Sequence, residues 1–197
     1  GVSASKSAIP KTPFIGVLIS CDIMERKSDL VLDASSASSL ATLKDLVTLK
    51  NMFSDWKKKN EINLDHFRVT IFGSARIKKN DARFKQVKSL AKMLGEKGID
   101  IVTGGGPGLM QAATEGHKLG MKKSKNNSES IGLLIQLPKP QKQANFLDIK
   151  KEFRVFSHRL DNFMRLSNAF VVATGGLGTI LELFYTLQLI QVNQTCD

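Results

Sequence analysis

The chain has 197 residues, 42% of them apolar, and carries 29 Lys and Arg against 18 Asp and Glu, a formal charge of +11. That length suits one domain with an arm, and that apolar share builds a packed core, which excludes a globally disordered chain. No run of apolar residues is long enough for a membrane-spanning helix, which needs about 20. The two cysteines, Cys21 and Cys196, form neither a disulfide framework nor a CxxC motif, and they point to a reducing, cytoplasmic compartment. His66, His117 and His158 stand apart from one another and from both cysteines, so no zinc site is expected.

The positive charge is concentrated. Residues 65–129 hold 13 basic and 6 acidic groups, whereas 1–64 and 130–197 are each only slightly basic. A basic surface attracts nucleic acid, acidic lipid or phosphorylated small molecules, and composition does not choose among them. With one Trp and one Tyr, the chain shows no ladder of aromatic and basic residues for base stacking, which disfavours nucleic acid.

In chain order, GVSASKSAIPKTP reads as a lead-in and FIGVLIS (14–20) as a short strand. Over 38–59, Leu40, Leu43, Leu46, Val47, Leu49, Phe53 and Trp56 recur at threes and fours and predict one amphipathic helix, closed by Lys57, Lys58 and Lys59. Its stripe packs on a core or on a partner subunit. Residues 1–64 are therefore read as an N-terminal arm with a helix, and 65–197 as the main domain.

From Phe67 the pattern alternates. FRVTIF (67–72) is a strand, and Phe84, Val87, Leu90, Ala91 and Leu94 mark a helix that stops at Gly98. IDIVT (99–103) is the next strand, followed by a helix over 109–119 and a Lys-rich loop, MKKSKNNSES. IGLLIQL (131–137) and EFRVF (152–156) read as strands, 158–167 as a short helix, AFVVAT (169–174) as a strand and 180–191 as the last helix. Near-continuous apolar strands separated by helices require cover on both faces. The fold class is α/β: a Rossmann-like open parallel sheet with helices on both faces. Ligands of such folds sit at the carboxyl ends of the strands.

Three glycine-bearing turns lie on that edge. One holds Ser74 and Arg76. The second is Gly104-Gly105-Gly106-Pro107-Gly108, and the third Gly175-Gly176-Leu177-Gly178-Thr179. Glycine lets backbone approach a ligand, and a following helix N-terminus suits an anion. Neither loop matches the dinucleotide fingerprint or the phosphate loop of nucleotide triphosphatases. Thr179 and Glu182 have the spacing of a capping box, so Glu182 has two readings: a cap for its own helix, or a carboxylate facing the crevice. Arg159, by itself, is one basic residue among many.

The runs FGSAR (72–76), TGGGPGLMQAA (103–113) and SHRLDNFMRLSNAFVVATGGLGTILELFYTLQLIQ (157–191) together resemble the LONELY GUY family of nucleoside 5′-monophosphate phosphoribohydrolases, over about residues 67–192. The resemblance implies hydrolysis of the N-glycosidic bond of a nucleoside monophosphate, without a metal or cofactor and in a homodimer. It implies catalytic roles for Glu182 and Arg159 and a phosphate site at Gly175, Gly176, Gly178 and Thr179. Gly104, Gly105, Gly106 and Gly108 would line the same pocket, and Ser74 and Arg76 would contact base or phosphate. The chain departs from the family in having Thr174 in place of a Pro and Leu160 after Arg159. Family members continue past the last helix, so the domain reads as C-terminally incomplete, with an edge strand left open. The competing function is a nucleotide-binding module of the same fold without turnover. A pyridoxal-dependent lysine decarboxylase is disfavoured, since no Lys lies in either of the two glycine-rich turns at 104–108 and 175–179.

Overall fold

Strands that are apolar on both sides have two faces to bury, and the sheet is built around that need. In this computed structural model, which describes residues 14–19, 32–33, 44, 46–48, 50–51, 66–138 and 142–192, five strands run parallel. They are β3 (Arg68–Phe72), β4 (Asp100–Thr103), β5 (Ser130–Ile135), β6 (Ile149–Phe153) and β7 (Ala169–Ala173), side by side in the order β7-β3-β4-β5-β6. Two strands from the N-terminal region extend this sheet. β1 (Phe14–Ile19) pairs antiparallel with β7, from Ile19 opposite Ala169 to Phe14 opposite Ala173, and β2 (Leu32–Asp33) pairs antiparallel with β1. The parallel expectation thus holds for the five central strands, and the outer edge of β7 is paired with β1.

Side chains alternate between two cores. Val69, Ile71, Ile101, Ala169 and Val171 face α1 (Ala82–Glu96) and α2 (Leu109–Ser124). Phe72, Val102, Leu133, Phe170 and Val172 face α3 (Phe156–Leu166) and α4 (Leu177–Gln191). The second core is aromatic at its centre, with Phe72 edge-on to Phe163 at 5.1 Å and stacked with Phe170 at 6.0 Å. Of the predicted N-terminal helix, residues 44, 46–48 and 50–51 are helical; Leu46 is fully buried in the first core and Val47 packs on it. At that point the stripe faces the core. Leu40, Leu43, Leu49, Phe53 and Trp56 lie outside the described residues.

α1 and α2 are pressed together along glycines. A methyl group on Gly116 would come within 2.0 Å of the Lys88 carbonyl oxygen, and one on Gly120 within 1.9 Å of that of Lys92. This contact carries α2 beyond the predicted end at Leu119: Gly120 is a packing residue, and Met121, Lys122, Lys123 and Ser124 continue the helix with lysines at its negative end. Beside the seam Glu115 accepts from Lys79, Lys88 and Gln111. Burial pushes its carboxyl up, but these three donors outweigh it and hold the group at about 2. His117 is sealed in the core. Its Nε2 donates to the Ile99 carbonyl at 2.9 Å, and the Ser130 hydroxyl donates to Nδ1 at 2.8 Å. Burial lowers its pKa, so the ring is neutral.

Three other boundaries shift. The strand read at 152–156 lies at Ile149–Phe153, because Asp148 accepts from the Ser130 amide and sets the register of β6 on β5. Ile149 to Glu152 are exposed, so this edge strand leaves no apolar pattern in the sequence. Consequently α3 begins at Phe156, and α4 begins at Leu177, inside the glycine run. No described helix is long and apolar enough to cross a membrane.

Chain order makes the site. β3, β4, β5 and β6 step in one direction, and the chain then returns through α3 to place β7 on the other side of β3. The loops after β3 and β7 diverge at this switch point, and a crevice opens at the carboxyl ends of the strands. The helix seam is testable in isolation. Gly120→Ala ought to destabilise the fold by about 1–3 kcal/mol in denaturant unfolding, although Ala in a helix interior is otherwise favoured over Gly by about 1 kcal/mol. A variant as stable as the parent would mean that the helices are not in backbone contact.

Candidate active site at the strand ends

A half-open cleft of about 1070 Å³ lies over the carboxyl ends of the parallel strands, a volume just above the usual range for ligand sites, roughly 300–1,000 Å³. Its floor is stitched from the three predicted turns. The Ser74 amide donates to the Thr174 carbonyl at 3.2 Å, and the Leu109 amide donates to the Ser74 carbonyl at 2.9 Å. The first amide of α2 is therefore already occupied by protein. A methyl on Gly108 would come within 2.3 Å of the Ser74 carbonyl oxygen, and the residue has φ +69°, so glycine is required there for this seal.

The N-terminus of α4 is different. Its N-cap is Gly176, and no side chain caps it. A methyl on Gly176 or Gly178 would meet nothing within 4 Å, whereas one on Gly175 would lie 2.0 Å from the Thr179 hydroxyl and 2.3 Å from its Cβ. Gly175 is thus required by packing, and Gly176 and Gly178 leave open space beside a helix N-terminus that no side chain caps. This geometry, with the positive end of the helix dipole, suits an anion. It also removes the capping-box reading of Glu182. With Gly176 as N-cap, Glu182 is the sixth helical residue and not the third, too far along for a capping box.

Instead, Glu182 is buried and lines the cleft, with its Oε1 3.8 Å from Nη1 of Arg159. Arg159 stands on the first turns of α3 and is 7% exposed. Its Nε donates to the Leu133 carbonyl at 2.6 Å and its Nη2 to the Gly104 carbonyl at 3.4 Å. The rings of Phe163 and Phe156 lie 5.2 and 5.8 Å from the guanidinium carbon. A methyl on Gly104 would reach within 2.4 Å of Nη2, so this glycine makes room for the arginine. Burial pulls the Arg159 guanidinium below its usual range while Glu182 pulls it back. Burial pushes the Glu182 carboxyl up to about 7, with Arg159 opposing. The cleft therefore holds one carboxyl group that exchanges its proton near neutrality beside a fixed cation.

Ser74, Arg76, Gly104, Gly105, Gly106, Arg159, Gly175, Gly176, Gly178, Thr179 and Glu182 all line this cleft. Gly108 lies behind it, in the Ser74 seal. The sequence reading did not select Met110, Leu134 and Leu137, which supply apolar wall, or Gln136, Gln143 and Glu152, which supply polar groups at the far end. Their only signal was position: they end or follow β4, β5 and β6 on the edge already singled out by the glycines.

A family model described as the SLOG cluster4 family matches residues 66–192, which is most of the chain and all of the parallel core. The chain belongs to the SLOG cluster4 family. Curated proteins of Escherichia coli strains K12 and O157:H7, each named pyrimidine/purine nucleotide 5′-monophosphate nucleosidase, are 28% identical to it over 116 residues, covering 56% of this chain and 25% of theirs. The SLOG cluster4 chain thus spans about a quarter of the length of these relatives. Among solved structures, a molybdenum cofactor binding protein of Rippkaea orientalis aligns with a TM-score of 0.48 at 22% identity, covering 68% of this chain and 75% of that one. A molybdenum cofactor carrier protein of Chlamydomonas reinhardtii aligns with a TM-score of 0.47 at 23% identity, covering 62% and 71%.

The two kinds of glycine at the α4 turn of this SLOG cluster4 protein predict opposite behaviour. Gly178→Ala is expected to unfold at the same or a higher denaturant concentration, because its methyl enters open space and Ala favours the helix. Gly175→Ala is expected to lose about 1–3 kcal/mol through its clash with Thr179. Equal destabilisation of both in urea titrations would refute the open geometry assigned to Gly178.

Proposed function

We propose that the cleft hydrolyses the N-glycosidic bond of a nucleoside 5′-monophosphate, releasing the free base and ribose 5-phosphate. The observation that carries this reading is the buried Glu182 beside Arg159, one and a half turns inside the uncapped N-terminus of α4. The names of the E. coli relatives support the substrate class.

The phosphate sits at Gly176, Gly178 and Thr179, where helix amides and the dipole replace its water shell. It is a remote handle whose binding energy fixes the ribose. The C1′–N bond breaks with its electron pair leaving on the base, which takes up a proton from water to become the neutral free base, and positive charge develops at C1′ and the ring oxygen. The Glu182 carboxylate stabilises that charge, orients a water molecule and accepts its proton as the water oxygen bonds to C1′. Arg159, held by two backbone carbonyls, keeps Nη1 toward the carboxylate. The reading assigns no step to a metal or an organic cofactor.

Glu182→Gln is expected to lower base release from AMP by about 10²–10⁴-fold while AMP still binds. The assay measures free base and ribose 5-phosphate from AMP, GMP and CMP. Wild-type binding without release would favour the binding module of the same fold, and unchanged turnover in the variant would remove Glu182 from the chemistry. Because the active form is the carboxylate, turnover rises with pH through a midpoint near 7. The stability linkage has the opposite sense. Keeping the Glu182 proton in the fold favours folding fully below the ordinary carboxylate range, and this contribution is lost as pH rises through about 7. Glu182→Gln therefore gains stability relative to wild type above that pH.

The same reading pairs two copies of the chain. α4 presents Leu177, Ile180, Leu181 and Phe184 on one exposed stripe, with Leu177 87% exposed at the mouth of the cleft. Light scattering is expected to give twice the 21.7 kDa chain mass, and Phe184→Glu to return it to a monomer. A monomeric wild type would overturn the pairing.

A further inference from the structure

The catalytic pair proposed above is divided between two helices, Arg159 on α3 and Glu182 on α4. Arg159 is pinned to the sheet by the Leu133 and Gly104 carbonyls. Glu182 accepts no side-chain hydrogen bond from Arg159 at 3.8 Å, so that contact does not hold α4 in place. A second polar contact joins the same two helices. The Tyr185 hydroxyl donates to Oδ1 of Asp161. Asp161 lies two residues after Arg159 and Tyr185 three residues after Glu182, so the bond bridges α3 and α4 within a turn of the pair. The Tyr185 ring packs partly buried on the second core, so its hydroxyl is presented from a fixed base.

We propose that Tyr185, bonded to Asp161, is a positioning residue that sets the distance between Arg159 and Glu182 across the cleft. It touches neither the cleft nor the reacting atoms; it holds the helix that carries the carboxylate. The bond persists over the working pH range, because the hydrogen bond to Asp161, with burial, pushes the Tyr185 phenol up to about 12. The inference deepens the glycosidase reading. It also stands as a statement about Glu182 in the free protein, where Arg159 is the charged group acting on that carboxyl.

Two substitutions separate positioning from simple charge. Tyr185→Phe removes the bond and keeps the Asp161 charge and the packed ring. Asp161→Asn removes the charge and keeps an oxygen that accepts from Tyr185. If Tyr185 positions the pair, Tyr185→Phe lowers kcat for base release from AMP by about tenfold or more with little change in KM, since small misplacements cost up to about a hundredfold. Asp161→Asn then has the smaller effect. In the substrate-free full chain, carbonyl NMR titration of Glu182 is expected to show its midpoint falling toward the ordinary carboxylate range in Tyr185→Phe, as water enters between α3 and α4. An unchanged midpoint and kcat in Tyr185→Phe, or a larger effect from Asp161→Asn, would overturn the proposal. If wild type releases no base, the glycosidase reading fails, and the NMR midpoint alone decides the positioning role.

Discussion

A buried guanidinium organises this molecule's cleft. Arg159 gives up water at a cost of several kcal/mol, and the fold returns donors' partners at two points, the carbonyls of Leu133 and Gly104. Those carbonyls belong to β5 and to the residue that follows β4, so the arginine ties α3 to the sheet at the place where the ligand crevice opens. The glycine at 104 and the aromatic rings of Phe156 and Phe163 follow from the same need, one leaving room and the others lining the side chain.

The arginine does not neutralise Glu182. Two unit charges about 4 Å apart attract by about 4 kcal/mol at an effective dielectric constant of 20, while removing a carboxylate from water costs several kcal/mol. At 3.8 Å and without a hydrogen bond, burial wins, and the carboxyl is held near neutrality instead of being locked as an ion. A closer, bidentate pair would have made an inert salt bridge. Glu115 shows that alternative within the same chain: with two lysines and a glutamine donating to it, it stays ionised down to about 2 and serves the α1–α2 seam.

Much of the fold was legible because burial on two faces leaves a mark in every central strand. Val69, Ile71 and Phe72, or Val171 and Val172, are apolar on both sides, and the turns between such segments carry glycine. β6 was misplaced for the opposite reason: an edge strand with exposed Ile149, Lys150, Lys151 and Glu152 carries no apolar pattern, and only its backbone pairing with β5 defines it. The start of α4 was hidden inside the glycine run, since glycine reads as a turn even where Gly178 is helical. That boundary changed the meaning of Glu182, whose capping spacing from Thr179 is real in the sequence and empty in the fold.

The sequence by itself determined the layered α/β class and the edge on which three glycine turns meet, because periodicity and turn chemistry are local properties of the chain; Arg159 and Glu182 stood out only through the family resemblance. The tertiary structure alone decided that β1 closes the free side of β7, that the first amide of α2 is sealed by Ser74 while α4 is open, and that Arg159 and Glu182 stand 3.8 Å apart in one cleft. Those facts depend on which strands lie side by side and how far each group is removed from water, and residues far apart in the chain fix both.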